Sequence, residues 1–196
     1  MKITKNFSFW EFGPKGCDHR WIPEGEYLQI LVLDLAHNLQ KLRDKANKIR
    51  KGNVSIHISS GIRTIADHHR LQGAGYHPSQ TSDHFYGAAV PLTPGTAKCN
   101  KFGANYVFSS GAGDCIPSGI SVESFFQLAM KMYRRSEVHF GQIIYEHDPI
   151  RKSKWVHLSN SYTNYFSDQI VQWLGKKPFL QSLDGGKSYQ VATAKE

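Results

Sequence analysis

Nowhere in the sequence do about 18 apolar residues run together, so it offers no helix to span a membrane. The opening Met1-Lys2-Ile3-Thr4-Lys5-Asn6-Phe7 lacks the apolar core of an export signal. The expectation is synthesis in the cytoplasm, with lysis or incorporation in a particle as routes out. Cysteine is scarce. Cys17, Cys99 and Cys115 stand far apart with no Cys-x-x-Cys pair, which reads as buried or loop thiols rather than a metal knuckle. Pairing of Cys99 with Cys115 is left open. Acidic residues are outnumbered, 16 against 24 Lys and Arg, for a net charge of +8. A basic surface can meet nucleic acid, anionic lipid or the acidic polymers of a cell wall. The lysines are scattered, however, and no nucleic-acid-binding motif accompanies them, so nucleic acid is not an expected partner.

What is present suits one domain with a sizeable core: 196 residues, 40% of them hydrophobic. Phe7-Ser8-Phe9-Trp10-Glu11-Phe12 reads as an aromatic anchoring lid before a turn at Gly13 to Gly16. From Glu24 to about Lys48, Leu28, Leu31, Leu35, Leu39 and Leu42 recur at three- and four-residue steps, which predicts a helix with one apolar stripe. Val54 to Ser59 alternates apolar and polar, as a half-buried strand does. Residues 64–81 read as a loop with a helical turn at Ala66 to Arg70 and solvent-facing His68 and His69. Residues 93–120, rich in Gly, Pro, Ser and Thr, read as an extended loop with a short hairpin around Tyr106 to Phe108. Ser121 is placed to cap a helix through Tyr133. Gly141 to Glu146 and Trp155 to Leu158 read as antiparallel strands, with His147, Asp148 and Pro149 in the loop between. Ser161 to Leu174 reads as a last helix, and the chain from Gly175 as a flexible basic tail.

Three short motifs carry chemistry: Ser59-Ser60-Gly61-Ile62-Arg63, Ser82-Asp83-His84-Phe85-Tyr86-Gly87-Ala88-Ala89-Val90-Pro91, and Trp155-Val156-His157-Leu158-Ser159. Together, and in this order, they resemble the zinc D-alanyl-D-alanine carboxypeptidase family, which cuts bacterial cell-wall peptides. The resemblance spans roughly Phe7 to Ser159. It implies an α+β fold, a small antiparallel sheet packed by helices on the hedgehog/D-Ala-D-Ala-peptidase scaffold, over residues 1–160, with residues 161–196 as a C-terminal helix and tail. It makes His84 and His157 metal ligands and places Arg63 at the substrate, where a planar guanidinium suits a peptide carboxylate or carbonyl. His57 and Trp155 would line the same cleft. The alternative for Arg63 is a structural arginine capping a loop. For the two histidines it is a buried pair hydrogen-bonded to each other or to the backbone.

The resemblance departs at two acidic positions. Pro91 stands where the family keeps its aspartate ligand and has no donor to offer. Lys154 stands where it keeps the acid–base carboxylate, three positions before the second histidine, and an ammonium there repels a cation and is no base at neutral pH. The resulting expectation is a catalytically inactive, peptidase-like protein without a bound cofactor. It would serve as a structural or wall-binding component of a phage or phage-like particle, with neighbouring subunits or a peptidoglycan peptide as partner. The alternative is an active zinc peptidase with a rewired ligand set, drawing on Asp83, His77, His139, Glu146 or Asp148.

Overall fold

The computed structural model describes residues 1–76, 78, 82–85, 89–91, 106–108, 111–160 and 179–192. The leucine stripe predicts α1 well: the helix runs Glu26–Arg50 and buries Leu31, Leu35, Leu39 and Leu42 completely. It ends where Lys51 adopts a left-handed conformation (φ 50°) before Gly52. β1 follows at Ser55–Ser60, with Ile56 and Ile58 inward and the residues between them exposed. α2, Ile65–Gly73, is a full helix capped by Thr64, whose side chain accepts from the Asp67 amide. His68 on it is buried, correcting the expectation that it faces solvent. A second helix of the core, α3 at Val122–Arg134, is capped by Ser121 as predicted.

The remaining strands are β2 (Ala89–Pro91), β3 (Tyr106–Phe108), β4 (Ala112–Ser118), β5 (Phe140–Asp148), β6 (Ser153–Asn160), β7 (Phe179–Ser182) and β8 (Gln190–Val191). β2 and β3 form a separate two-stranded ribbon. The other six strands form one sheet in the order β1-β4-β6-β5-β7-β8. The α+β expectation holds, but the sheet is mixed: β5 and β7 pair in parallel and every other pair is antiparallel. The Ser161 to Leu174 helix, Gly87, His77 and Cys99 lie outside the described residues. The tail expected to be flexible from Gly175 instead supplies β7 and β8, because Phe179 and Leu180 are apolar and buried against the sheet.

β4 corrects the extended loop expected over residues 93–120. Its glycine and proline suit its position: Gly113 packs under Ile58 and Leu35, where a Cβ would stand 3.6–3.8 Å from their methyl groups. Pro117 lies beyond Cys115, where pairing with β6 has stopped, so its missing N–H breaks no ladder on that side.

Alternation along the strands sorts the sheet into two faces. Cys115, Ile143, Tyr145, Val156, Leu158 and Asn160 face the helices. Tyr145 donates its hydroxyl to Glu123 of α3 (2.9 Å), and the Asn160 side chain donates to the Leu31 carbonyl of α1 (2.7 Å). Asp114, Glu146, Trp155 and His157 point to the opposite face. Their registers bring them together: Asp114 pairs with His157, His157 with Ile144, and Trp155 with Glu146.

Candidate metal centre

His84 sits in the short turn Asp83–Phe85, and the loop after β1 grips that turn at two points. The Arg63 amide donates to the His84 carbonyl (2.8 Å), and His84 Nδ1 donates to the Gly61 carbonyl (2.8 Å). Gly61 is required there. A Cβ would overlap the carbonyl of Phe12, whose oxygen accepts from the Ile62 amide at 2.7 Å. The buried aromatic segment Phe7 to Phe12 thereby anchors the loop that orients His84.

Across the sheet face, His84 meets Asp114 of β4 and His157 of β6. His84 Nε2 lies 3.1 Å from Asp114 Oδ1 and 3.2 Å from His157 Nδ1, and His157 Nδ1 lies 3.0 Å from the same Oδ1. Tetrahedral zinc with bonds of about 2.0–2.1 Å separates its ligand atoms by about 3.3–3.4 Å, so this triangle is close to one face of that tetrahedron. Proton placement gives a second test of fit. A carbonyl can only accept, so the proton of neutral His84 is on Nδ1, and its Nε2 presents a lone pair. That lone pair faces a carboxylate oxygen, an unfavourable meeting that a cation between them resolves. A ligand histidine whose other nitrogen donates to a backbone carbonyl is also the usual arrangement around a bound metal. Imidazole, carboxylate and imidazole in a buried site suit zinc among the divalent ions.

The electrostatics are strong. Burial opposes ionisation of Asp114, but its two histidine neighbours outweigh it and hold the carboxyl well below its ordinary range. Burial, with Arg63 nearby, lowers His84 and favours its neutral form. His157 is also fully enclosed, yet the hydrogen bond and charge of Asp114 raise it.

Three further groups surround the triad. Glu146 is enclosed on the cleft face, and burial, then the charge of Asp114, push its carboxyl up to about 7. Arg63, 9% exposed, reaches Asp114 Oδ2 at 3.9 Å through Nη2 and donates from Nη1 to Ser82 Oγ (3.3 Å). Its Nε and the indole Nε1 of Trp155 are buried without a hydrogen-bond partner among the described residues.

The structure therefore brings together His84, His157, Arg63 and Trp155. It does not bring in His57, which is exposed opposite Ile116. Lys154 is not beside the site. It points to the helix face and donates to Glu123 at 2.6 Å, because residues three apart on a strand point to opposite faces. Pro91 ends β2 in the separate ribbon, and Asp114 stands in the triad instead. Of the rewiring candidates, Asp148 is bound by Arg151 (2.7 Å), His139 is exposed, and Asp83 and Glu146 lie close enough for their charges to raise His157. Sequence reasoning missed Asp114. Its one signal is the run Gly111-Ala112-Gly113-Asp114, small residues leading into an acid, which resembles the small-residue approach sought at Gly87 to Pro91.

Set against known protein families, curated proteins and solved structures, the chain matches none of them.

Proposed function

We propose that this chain is a zinc-dependent peptide hydrolase of the D-alanyl-D-alanine carboxypeptidase kind, with His84, Asp114 and His157 holding the ion. The observation that carries this reading is the 3.0–3.2 Å convergence of three ligand atoms with no proton available between His84 and Asp114. The motifs at Ser59 to Arg63, Ser82 to Ala89 and Trp155 to Ser159 supply the substrate class, and the net charge of +8 suits the acidic polymers of a bacterial wall. On this reading Asp114 of β4 and Glu146 of β5 take the two acidic roles that Pro91 and Lys154 cannot fill.

Zinc at such a site polarises a carbonyl and lowers the pKa of bound water. The chain's own residues supply the remainder. Glu146, on the same face of the sheet, would take the proton of the attacking water at its carboxylate and return it to the leaving amine nitrogen. The guanidinium of Arg63, beside Asp114, favours a substrate carboxylate or carbonyl at the site. His84 stays oriented through Gly61 and needs no proton transfer of its own.

The test is zinc content and hydrolysis of a peptide ending in D-alanyl-D-alanine, for the wild type and Glu146→Gln. About one zinc per chain in both, with turnover lowered about 10²–10⁴-fold in the variant, is expected. Absence of both zinc and turnover in the wild type would overturn the reading and favour a wall-binding or particle subunit.

A further inference from the structure

The segment after β7 is built to hold one hydroxyl at the cleft. β7 places Ser182 opposite Glu146, and the chain then turns around the Asp184 side chain. Asp184 Oδ1 accepts from the Ser182 hydroxyl (2.9 Å) and from the amides of Lys187 and Ser188 (3.0 Å each), while Oδ2 accepts from the Ser188 hydroxyl. The Gly185 amide donates to the His147 carbonyl (3.0 Å) and the Gly186 amide to Ser182 Oγ (2.9 Å). Both glycines have positive φ, +76° and +84°, a turn that other residues enter only with strain.

Tyr189 leaves this turn with its hydroxyl beside Glu146. A Cβ built on Gly186 would stand 3.2 Å from Tyr189 Oη and 3.8 Å from Glu146 Oε2, so both groups border one small space. The phenol also feels the site. Burial first, then the charges of Glu146, Asp114 and Asp184, push it above its ordinary pKa against the opposing pull of Arg63. It therefore keeps its proton at any working pH. The residue is 47% exposed, which leaves it open to an incoming ligand. Among the described residues its hydroxyl makes no hydrogen bond.

We propose that Tyr189 is a catalytic residue whose hydroxyl donates a hydrogen bond to the substrate carbonyl oxygen as that oxygen gains negative charge. The inference rests on the peptide-hydrolase reading. The water oxygen bonds to the carbonyl carbon, the carbon–nitrogen bond breaks, Glu146 carries the proton between them, and Tyr189 keeps its own. A donor fixed in advance where charge develops is a large source of rate in enclosed sites, about 10²–10³-fold when one is removed.

Tyr189→Phe removes a hydroxyl that makes no hydrogen bond among the described residues and leaves the ring. The test measures zinc affinity, thermal midpoint, kcat and KM, and the affinity of the zinc-loaded protein for the phosphinate analogue of D-alanyl-D-alanine, whose oxygens mimic the developing charge. Expected are unchanged zinc affinity and melting, phosphinate binding weakened about tenfold or more, and a fall in kcat of about 10²-fold with KM little altered. Phosphinate affinity and kcat both within about twofold of the wild type would overturn the role of Tyr189 and leave the hydrolase reading standing. A wild type that binds neither zinc nor phosphinate would overturn the hydrolase reading and Tyr189's role with it.

Discussion

Asp114→Asn separates a metal triad from a buried histidine pair. The substitution preserves shape and one oxygen, but removes the carboxylate whose oxygen lies 3.0 and 3.1 Å from the two histidines. It also leaves Arg63, 3.9 Å from Oδ2, with no carboxylate charge to offset its own at that point. Zinc held by four ligands in small folded domains carries an apparent binding free energy of about 10–16 kcal/mol. One ligand's share is about 3–4 kcal/mol, and at about 1.4 kcal/mol per decade that is an affinity loss of roughly 10²–10³-fold. Competition against a chromophoric chelator near neutral pH reads this directly, with circular dichroism to confirm the fold. If Asp114→Asn kept wild-type zinc affinity within about threefold, the ion would not be held by this triangle, and the argument from proton placement on His84 would fail with it.

Three further outcomes follow from the same geometry. Glu146 has a folded-state pKa of about 7 against an ordinary 4.5. As pH rises between those values, the folded protein retains a proton the unfolded chain has shed, so stability falls, with the full cost of about 3 kcal/mol present above pH 7. In chelator-treated protein, Glu146→Gln should therefore melt above the wild type at pH 8 and level with it at pH 4, and a constant offset across pH would contradict this. Lys154→Ala should leave zinc affinity untouched and shift urea denaturation little, because its pair with Glu123 is 41% and 51% exposed; a large change in metal binding would place Lys154 at the site after all. Gly61→Ala should destabilise by about 1–3 kcal/mol or more, since its Cβ meets the Phe12 backbone, and should weaken zinc by displacing the carbonyl that orients His84. Melting and metal competition on the same preparation check both parts.

Much of the frame was legible in the sequence. The leucines of α1, the alternation of β1, the Ser121 cap and the β5–β6 pair follow from periodicity and capping, which act locally. Asp114 was not legible, because β4 is a strand only by virtue of its neighbours. Ala112, Gly113 and Pro117 have little strand preference of their own, and the slot between β1 and β6, roofed by Leu35 and Ile58, decides their conformation. Lys154 misleads for a different reason. Counting three residues back from His157 ignores the two-residue period of the strand that holds both, which sends the ammonium to α3 and leaves the cleft to Glu146 from the adjacent strand. β7, β8 and the turn that carries Tyr189 were hidden by a polar, glycine-containing composition that local reasoning reads as a tail.

The parallel pairing of β7 with β5 has a consequence for the order in which the molecule acquires its site. Hairpin contacts such as β5 with β6 close early, because little chain must be gathered to make them. The cleft is gathered from far apart: Arg63, His84, Asp114, Glu146, His157 and, through β7, Tyr189. None of the triad's three residues is within a helical turn or a hairpin's reach of another along the chain, so no fragment presents the ion with a preformed cage. If the triad holds the ion as proposed, its three ligands meet only once β4 and β6 have paired and the Asp83–Phe85 turn has docked against them.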